Sequence, residues 1–274
     1  MFFVNYLCVP FVVRKSFTTK ELKVHTKDTK KEVIKMKITL KLIFIFYLLT
    51  IFTAGSKAIA DSPLTKKQKR EKDKQLNILT IGDSNGALPF GWVYQLKQIR
   101  TNDTIFNISI SGNTIGFNNN GQRSLNTLSN IGSYMEKAYT RLGKIDRIII
   151  MLGTNDCKEV FRDSLSVVPG NMRNMIDEIK KIAKLHRNKP VIYIVSPPPF
   201  GPDEMLGEKY KGGMDRVSLL NKQLELISKK ESAVFINTCQ ILSPVFKQLT
   251  SDGVHLNADG QRMIAFIIQE NLKY

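Results

Sequence analysis

An α/β fold with a parallel sheet covered on both faces is what this sequence predicts, and three observations predict it. Five short apolar runs, each four to eight residues long, recur between residues 76 and 236. The stretches between them repeat their apolar residues at helical spacing. The composition of the 274-residue chain, 42% apolar and 24% charged, is that of a globular protein; it excludes wholesale disorder, collagen and a multi-span membrane protein. Short apolar strands alternating with helices imply a parallel sheet, and ligands of such sheets bind beyond the carboxyl ends of the strands.

The elements follow in order. Residues 76–81 (LNILTI) run into Gly82 and read as a buried strand. Trp92, Leu96 and Ile99 then recur as on one helix face, and residues 104–110 (TIFNISI) alternate as a strand does. Residues 124–142 read as a helix. Residues 145–152 (IDRIIIML) form a strongly hydrophobic run and the expected central strand. An amphipathic helix over 171–187 leads to a fourth strand at 191–195. A helix over 214–230, a fifth strand at 233–236 and a closing helix over 258–272 complete the pattern. There is no internal repeat.

The net charge of +17 is unevenly spread. Residues 1–60 hold 11 Lys/Arg against 3 acids, and residues 61–75 hold 6 against 3. The remaining 199 residues carry only +6, a solvated surface rather than a nucleic-acid footprint. Residues 36–41 (MKITLK) are a short basic segment before 14 mostly apolar residues, 42–55, and then Ala58-Ile59-Ala60. That is the order of a secretory signal peptide with its cleavage site. A membrane span needs about 20 apolar residues, so an uncleaved anchor is the competing reading and the membrane is reached only through it. No cysteine follows the apolar run, which argues against a lipid anchor. The signal's internal position points to translation starting at Met36; a longer leader is the competing reading. Residues 1–60 therefore read as leader, 61–75 as a basic flexible tether and 76–274 as the folded domain. Secretion or periplasmic export follows.

The chemistry-bearing residues lie just after the strands. Gly82-Asp83-Ser84-Asn85 follows the first, where glycine permits a tight turn and the serine meets a helix start whose N–H groups favour negative charge. A mere helix cap is the competing reading. Ser111-Gly112-Asn113 follows the second, and a glycine there lets a backbone N–H approach a ligand. Gly153-Thr154-Asn155-Asp156 follows the third; an Asn amide can donate to an oxyanion, or simply shape a turn. Cys157 comes next, with no histidine near it in sequence, and a buried inert thiol is the commoner fate. Ser251-Asp252-Gly253-Val254-His255 precedes the last helix, and an Asp three residues before a His can orient the ring. Of the three histidines, His25 lies in the leader. His186 is explained by the end of a charged helix, which leaves His255 as the candidate base.

Ser84, Gly112, Asn155 and His255, in this order after successive strands, resemble the SGNH (GDSL-type) hydrolase family over residues 76–272. Residues 145–161 (IDRIIIMLGTNDCKEVF) and 191–200 (VIYIVSPPPF) are similar to its arylesterase and acyltransferase branch. The resemblance implies a three-layer flavodoxin-like sandwich on a five-stranded parallel sheet, and ester hydrolysis through an acyl-enzyme. It further implies Ser84 as nucleophile, His255 as general base and then acid, and Asp252 as its orienting partner. The oxyanion hole it implies comprises the N–H groups of Ser84 and Gly112 and the amide of Asn155. Asn85 stands where the family's first block has leucine, a change expected to touch substrate preference more than mechanism.

That chemistry needs no metal or cofactor, and three cysteines with three histidines offer little to hold one. The expected substrate is a small-molecule or glycan ester, first an acetyl or short acyl group on a carbohydrate, with no nucleic-acid partner. The alternatives are a broad arylesterase, thioesterase or lysophospholipase, and a glycan-binding domain that kept the fold without catalysis. The loops 112–123 and 197–213 are expected to shape the pocket. Export would permit a Cys157–Cys239 disulfide, but these cysteines follow strands three and five. The implied sheet order puts strand four between them, which argues against the bond.

Overall fold

Five strands carry the domain, and in the three central ones nearly every residue is buried. The computed structural model describes residues 75–272; the leader, all but the last residue of the tether and residues 273–274 lie outside the described residues. The strands are β1 (Asn77–Gly82), β2 (Thr104–Ser109), β3 (Arg147–Met151), β4 (Val191–Val195) and β5 (Val234–Ile236). All pair in parallel, in the order β2-β1-β3-β4-β5.

The alternation of side chains explains why the strands read as continuous apolar runs. Leu79, Ile81, Ile148 and Ile150 point to one face, and Ile78, Ile149 and Met151 to the other. The first face is covered by α3 (Thr127–Leu142), α4 (Val168–Leu185) and α5 (Gly213–Lys230), through residues such as Met135, Ile176 and Leu224. The second is covered by α2 (Trp92–Ile99) and α7 (Ala258–Asn271), through Trp92, Leu96, Ile264 and Ile268. The result is a three-layer sandwich. Burying each such side chain stabilises the fold by about 1.5–3 kcal/mol, which makes β3, with Ile148, Ile149 and Ile150 fully buried, its spine.

Two helix starts differ from the sequence pattern by three residues, each for a physical reason. Helix α4 begins at Val168, not residue 171, because Pro169 occupies the first turn, where a missing N–H costs nothing. Helix α3 begins at Thr127, not residue 124, because the Asn126 side chain accepts from the Ser129 N–H at 3.0 Å and caps the helix there. Strand β2 is only half buried, as befits an edge, so its expected alternation is blurred.

The chain runs from β1 outward to β2, then crosses to β3 on the other side of β1. Such a reversal is the kind of switch point where ligands of parallel sheets bind, beyond the carboxyl ends of β1 and β3, and the first short helix, α1 (Ser84–Ala87), starts there.

Candidate active site

The turn after β1 is shaped by close approach. Asp83 caps α1, its Oδ1 accepting from the Asn85 N–H at 3.0 Å, and Ser84 is the first helical residue. A Cβ on Gly86 would lie 2.4 Å from Ser109 Oγ and 3.0 Å from Trp92 Nε1, so only glycine lets this turn seat on β2 and α2. Ser84 is thereby held at the sheet edge, 9% exposed.

His255 reaches it from 171 residues away: its Nε2 lies 3.0 Å from Ser84 Oγ. Its Nδ1 lies 2.6 Å from Asp252 Oδ2. The other carboxylate oxygen of Asp252 accepts from the backbone N–H groups of Val254 (2.9 Å) and His255 (2.7 Å), so the loop winds around its own aspartate. Burial alone would raise the Asp252 pKa; the His255 side chain, these N–H bonds and the imidazole charge overcome it and hold the carboxyl below its usual value. Thr250 braces the loop, donating to the His255 carbonyl at 2.8 Å and accepting from the Gly253 N–H at 3.0 Å.

The loop after β2 and the loop after β3 are knitted to the same edge by Asn113. Its Nδ2 donates to the Gly82 carbonyl at 3.1 Å, and its own carbonyl accepts from Asn155 Nδ2 at 3.0 Å. Gly112, immediately before it, has φ +88°, a conformation that L side chains rarely adopt. The Tyr210 hydroxyl donates to Asn155 Oδ1 at 3.2 Å, which fixes the amide with its NH2 turned toward Asn113 and leaves one N–H to spare. Asn155 is 3% exposed.

The sequence-selected residues Ser84, Gly112, Asn155, Asp252 and His255 thus meet at one sheet edge, though His255 is not reached directly from β5. Helix α6 (Thr238–Leu242) and a short 3-10 turn (Phe246–Gln248) intervene. Asn85 departs from the expectation that it would touch substrate preference. Its side chain is fully buried, and its Oδ1 accepts from the Leu256 N–H (3.1 Å) and Gln261 Nε2 (2.7 Å). It ties the serine turn to the residue after His255. Cys157 and Cys239 are free thiols. Cys157 is fully buried, and burial, helped by the neighbouring Asp156 charge, pushes its thiol well above the ordinary range; this is no nucleophile. Among the described residues no group of three or more His, Cys, Asp or Glu is gathered to hold a metal.

Asp156 is fully buried with both oxygens 3.0 Å from the Ile115 N–H. Burial pushes its carboxyl up to about 7, despite the backbone N–H bonds that pull it down. The native state then holds a proton that the unfolded chain has released. The stabilisation is full below the ordinary value of 3.8 and is lost as pH rises through about 7. Thermal unfolding at pH 5, 6 and 7 is expected to show a falling melting temperature that flattens in Asp156→Asn. An unchanged slope in that variant would assign the trend to other groups, Asp83 first, whose burial raises it in the same direction.

The comparisons with known proteins cover this part of the chain. A family model described as the GDSL-like Lipase/Acylhydrolase family matches residues 79–263, from β1 through the histidine loop. No curated protein sequence matches. Among solved structures, the chain is similar to Est24, a carbohydrate acetylesterase from Sinorhizobium meliloti, with 19% identity and a TM-score of 0.59, covering 73% of this chain and 98% of that one. The inhibitor-bound aryl esterase of M. smegmatis gives 20% identity and a TM-score of 0.59 over 72% and 99% of the two chains. A lipase/acylhydrolase from Enterococcus faecalis gives 18% and 0.55 over 72% and 96%. At such identities these structures speak to the shared fold.

Proposed function

This chain belongs to the GDSL-like lipase/acylhydrolase family and is a carboxylic ester hydrolase, and on that premise we propose that it is an exported serine esterase that removes an acetyl or other short acyl group from a carbohydrate by way of an acyl-enzyme on Ser84. The observation that carries this reading is the continuous chain Ser84 Oγ, His255 Nε2, His255 Nδ1, Asp252 Oδ2, with links of 3.0 and 2.6 Å.

A serine hydroxyl is a poor nucleophile until a base takes its proton. In the proposed mechanism His255 Nε2 accepts that proton as Ser84 Oγ bonds to the ester carbonyl carbon. Asp252 holds the ring by Nδ1 and stabilises the imidazolium, an ionised carboxylate being what the site's hydrogen bonds favour. In this reading the oxygen that becomes negative is met by the N–H groups of Ser84 and Gly112 and by the spare N–H of Asn155, the kind of donor set that stabilises a tetrahedral oxyanion. His255 then returns the proton to the leaving alkoxide, and a water repeats the sequence to free the acid.

The carbohydrate reading is supported by the acetylesterase described for one structural neighbour and by the secretory pattern of residues 36–60. The test compares p-nitrophenyl acetate, butyrate and octanoate with O-acetylated xylan and O-acetylated xylo-oligomers. Release of acetate from a glycan with kcat/KM above that for the aryl acetate is expected. Preference for aryl esters with no glycan turnover would instead assign an arylesterase, and binding to glycans without any hydrolysis would assign a non-catalytic module. Sequencing of the exported protein's N-terminus is expected to begin at Asp61; a mature chain that keeps residues 42–55 would make it membrane-anchored.

A further inference from the structure

Lys158 presents a charge that nothing described so far uses. It is 6% exposed, yet no carboxylate among the described residues pairs with it, and its one hydrogen-bond acceptor there is Asn119 Oδ1, at 2.9 Å. An ammonium buried in this way destabilises a fold; a side chain of similar length without charge would pack at less cost. Burial, followed by the nearby Lys209, pulls its pKa below the ordinary lysine value, partly offset by Asp156.

What Lys158 touches leads to both loops that carry oxyanion donors. Asn119, itself 1% exposed, donates from Nδ2 to the Gly112 carbonyl at 2.6 Å. Gly112 has no Cβ to restrict it and sits at φ +88°, so an anchored carbonyl is what fixes the peptide on its C-terminal side. On the other loop, the Lys158 N–H donates to the Asn155 carbonyl at 3.3 Å. The ammonium also lies 5.7 Å from the centroid of the Tyr210 ring, whose hydroxyl donates to Asn155 Oδ1 at 3.2 Å. A cation is attracted to the face of a phenol ring and so helps fix that ring, and with it the hydroxyl that orients Asn155; Lys209 Nζ stands over the same ring at 5.3 Å.

We propose that Lys158 is a positioning residue of the oxyanion site: its buried ammonium, acting through Asn119 on Gly112 and through Tyr210 on Asn155, holds both donors in the arrangement the tetrahedral oxyanion requires. The inference rests on the Ser84 esterase reading above. It makes the charge useful in the transition state, where a positive centre behind aligned dipoles in a poorly screened setting favours developing negative charge.

The test uses the full chain and p-nitrophenyl acetate, with kcat, KM and melting temperature measured for each variant. Lys158→Met is expected to lower kcat by about 10–100-fold, less than the loss of a direct donor, with KM within about twofold. Its melting temperature is expected to stay level or rise, the opposite of what a residue kept for stability would show. Lys158→Gln, which can still donate to Asn119 without the charge, recovers part of kcat. Asn119→Ala lowers kcat, and the double variant Lys158→Met/Asn119→Ala is no slower than the worse single one, since both cut the same chain. Unchanged kcat in Lys158→Met, a loss carried by KM, or effects that multiply in the double variant would overturn the proposal. Ser84→Ala separates the two levels. Hydrolysis that survives it overturns the esterase reading and this inference together, whereas Ser84-dependent hydrolysis indifferent to Lys158 overturns the inference alone.

Discussion

Ser84→Ala is expected to lower turnover by about 10⁴–10⁶-fold while leaving the fold intact. The magnitude follows from the role: without Oγ there is no acyl-enzyme, and only binding and the oxyanion donors still act on water attack. The intactness follows from position. Ser84 is the first residue of α1, a place alanine accepts, and its hydroxyl's hydrogen-bond partner is His255 Nε2. Asp83 and Asn85, not Ser84, make the hydrogen bonds that shape the turn. A fluorophosphonate should label the parent chain at Ser84 and fail on the variant. Cys157 cannot substitute, because its thiol is fully buried with a raised pKa. Turnover within tenfold of the parent, or label found on another residue, would remove Ser84 from the chemistry.

The strands were legible because both faces of the sheet are covered, so Ile148, Ile149 and Ile150 read as one apolar run whatever face each takes. Ser84, Gly112 and Asn155 were legible because a parallel sheet delivers each of them within a few residues of a strand's carboxyl end. The supporting polar groups were not. Asn85 meets Gln261 across 176 residues, and Lys158 meets Asn119 across 39, with no local spacing to announce either. Asn85, next to the serine, reads as a group facing substrate; only the packed turn shows its amide directed inward to the Leu256 backbone. Lys158, beside Glu159, reads as one more solvated charge, and only its burial and its missing carboxylate set it apart. Thr250 belongs with them, since its hydroxyl matters only once the loop has closed on His255.

The two histidines of the domain are expected to behave in opposite ways, and the structure says why. His255 faces Asp252 with one ring nitrogen and Ser84 with the other, and its side chain is 39% exposed. Truncating it opens no cavity in the core, so His255→Ala should abolish hydrolysis at a nearly unchanged melting temperature. Asp252→Asn should follow it part of the way, costing up to about 10⁴-fold, because an amide that donates to the ring would select the wrong tautomer. His186 does different work. It is the C-cap of α4, its ring stacks on Tyr139 with centroids 3.8 Å apart and planes 9° apart, and its Nε2 lies 3.3 Å from Glu136 Oε1. Those contacts join α4 to α3, and none of these partners belongs to the candidate site. His186→Ala should therefore keep kcat and KM while losing about 1–2 kcal/mol of stacking and helix-end stabilisation, a drop of a few degrees in melting temperature for a domain of this size. Hydrolysis that survives in His255→Ala but disappears in a folded His186→Ala would overturn the assignment of both rings.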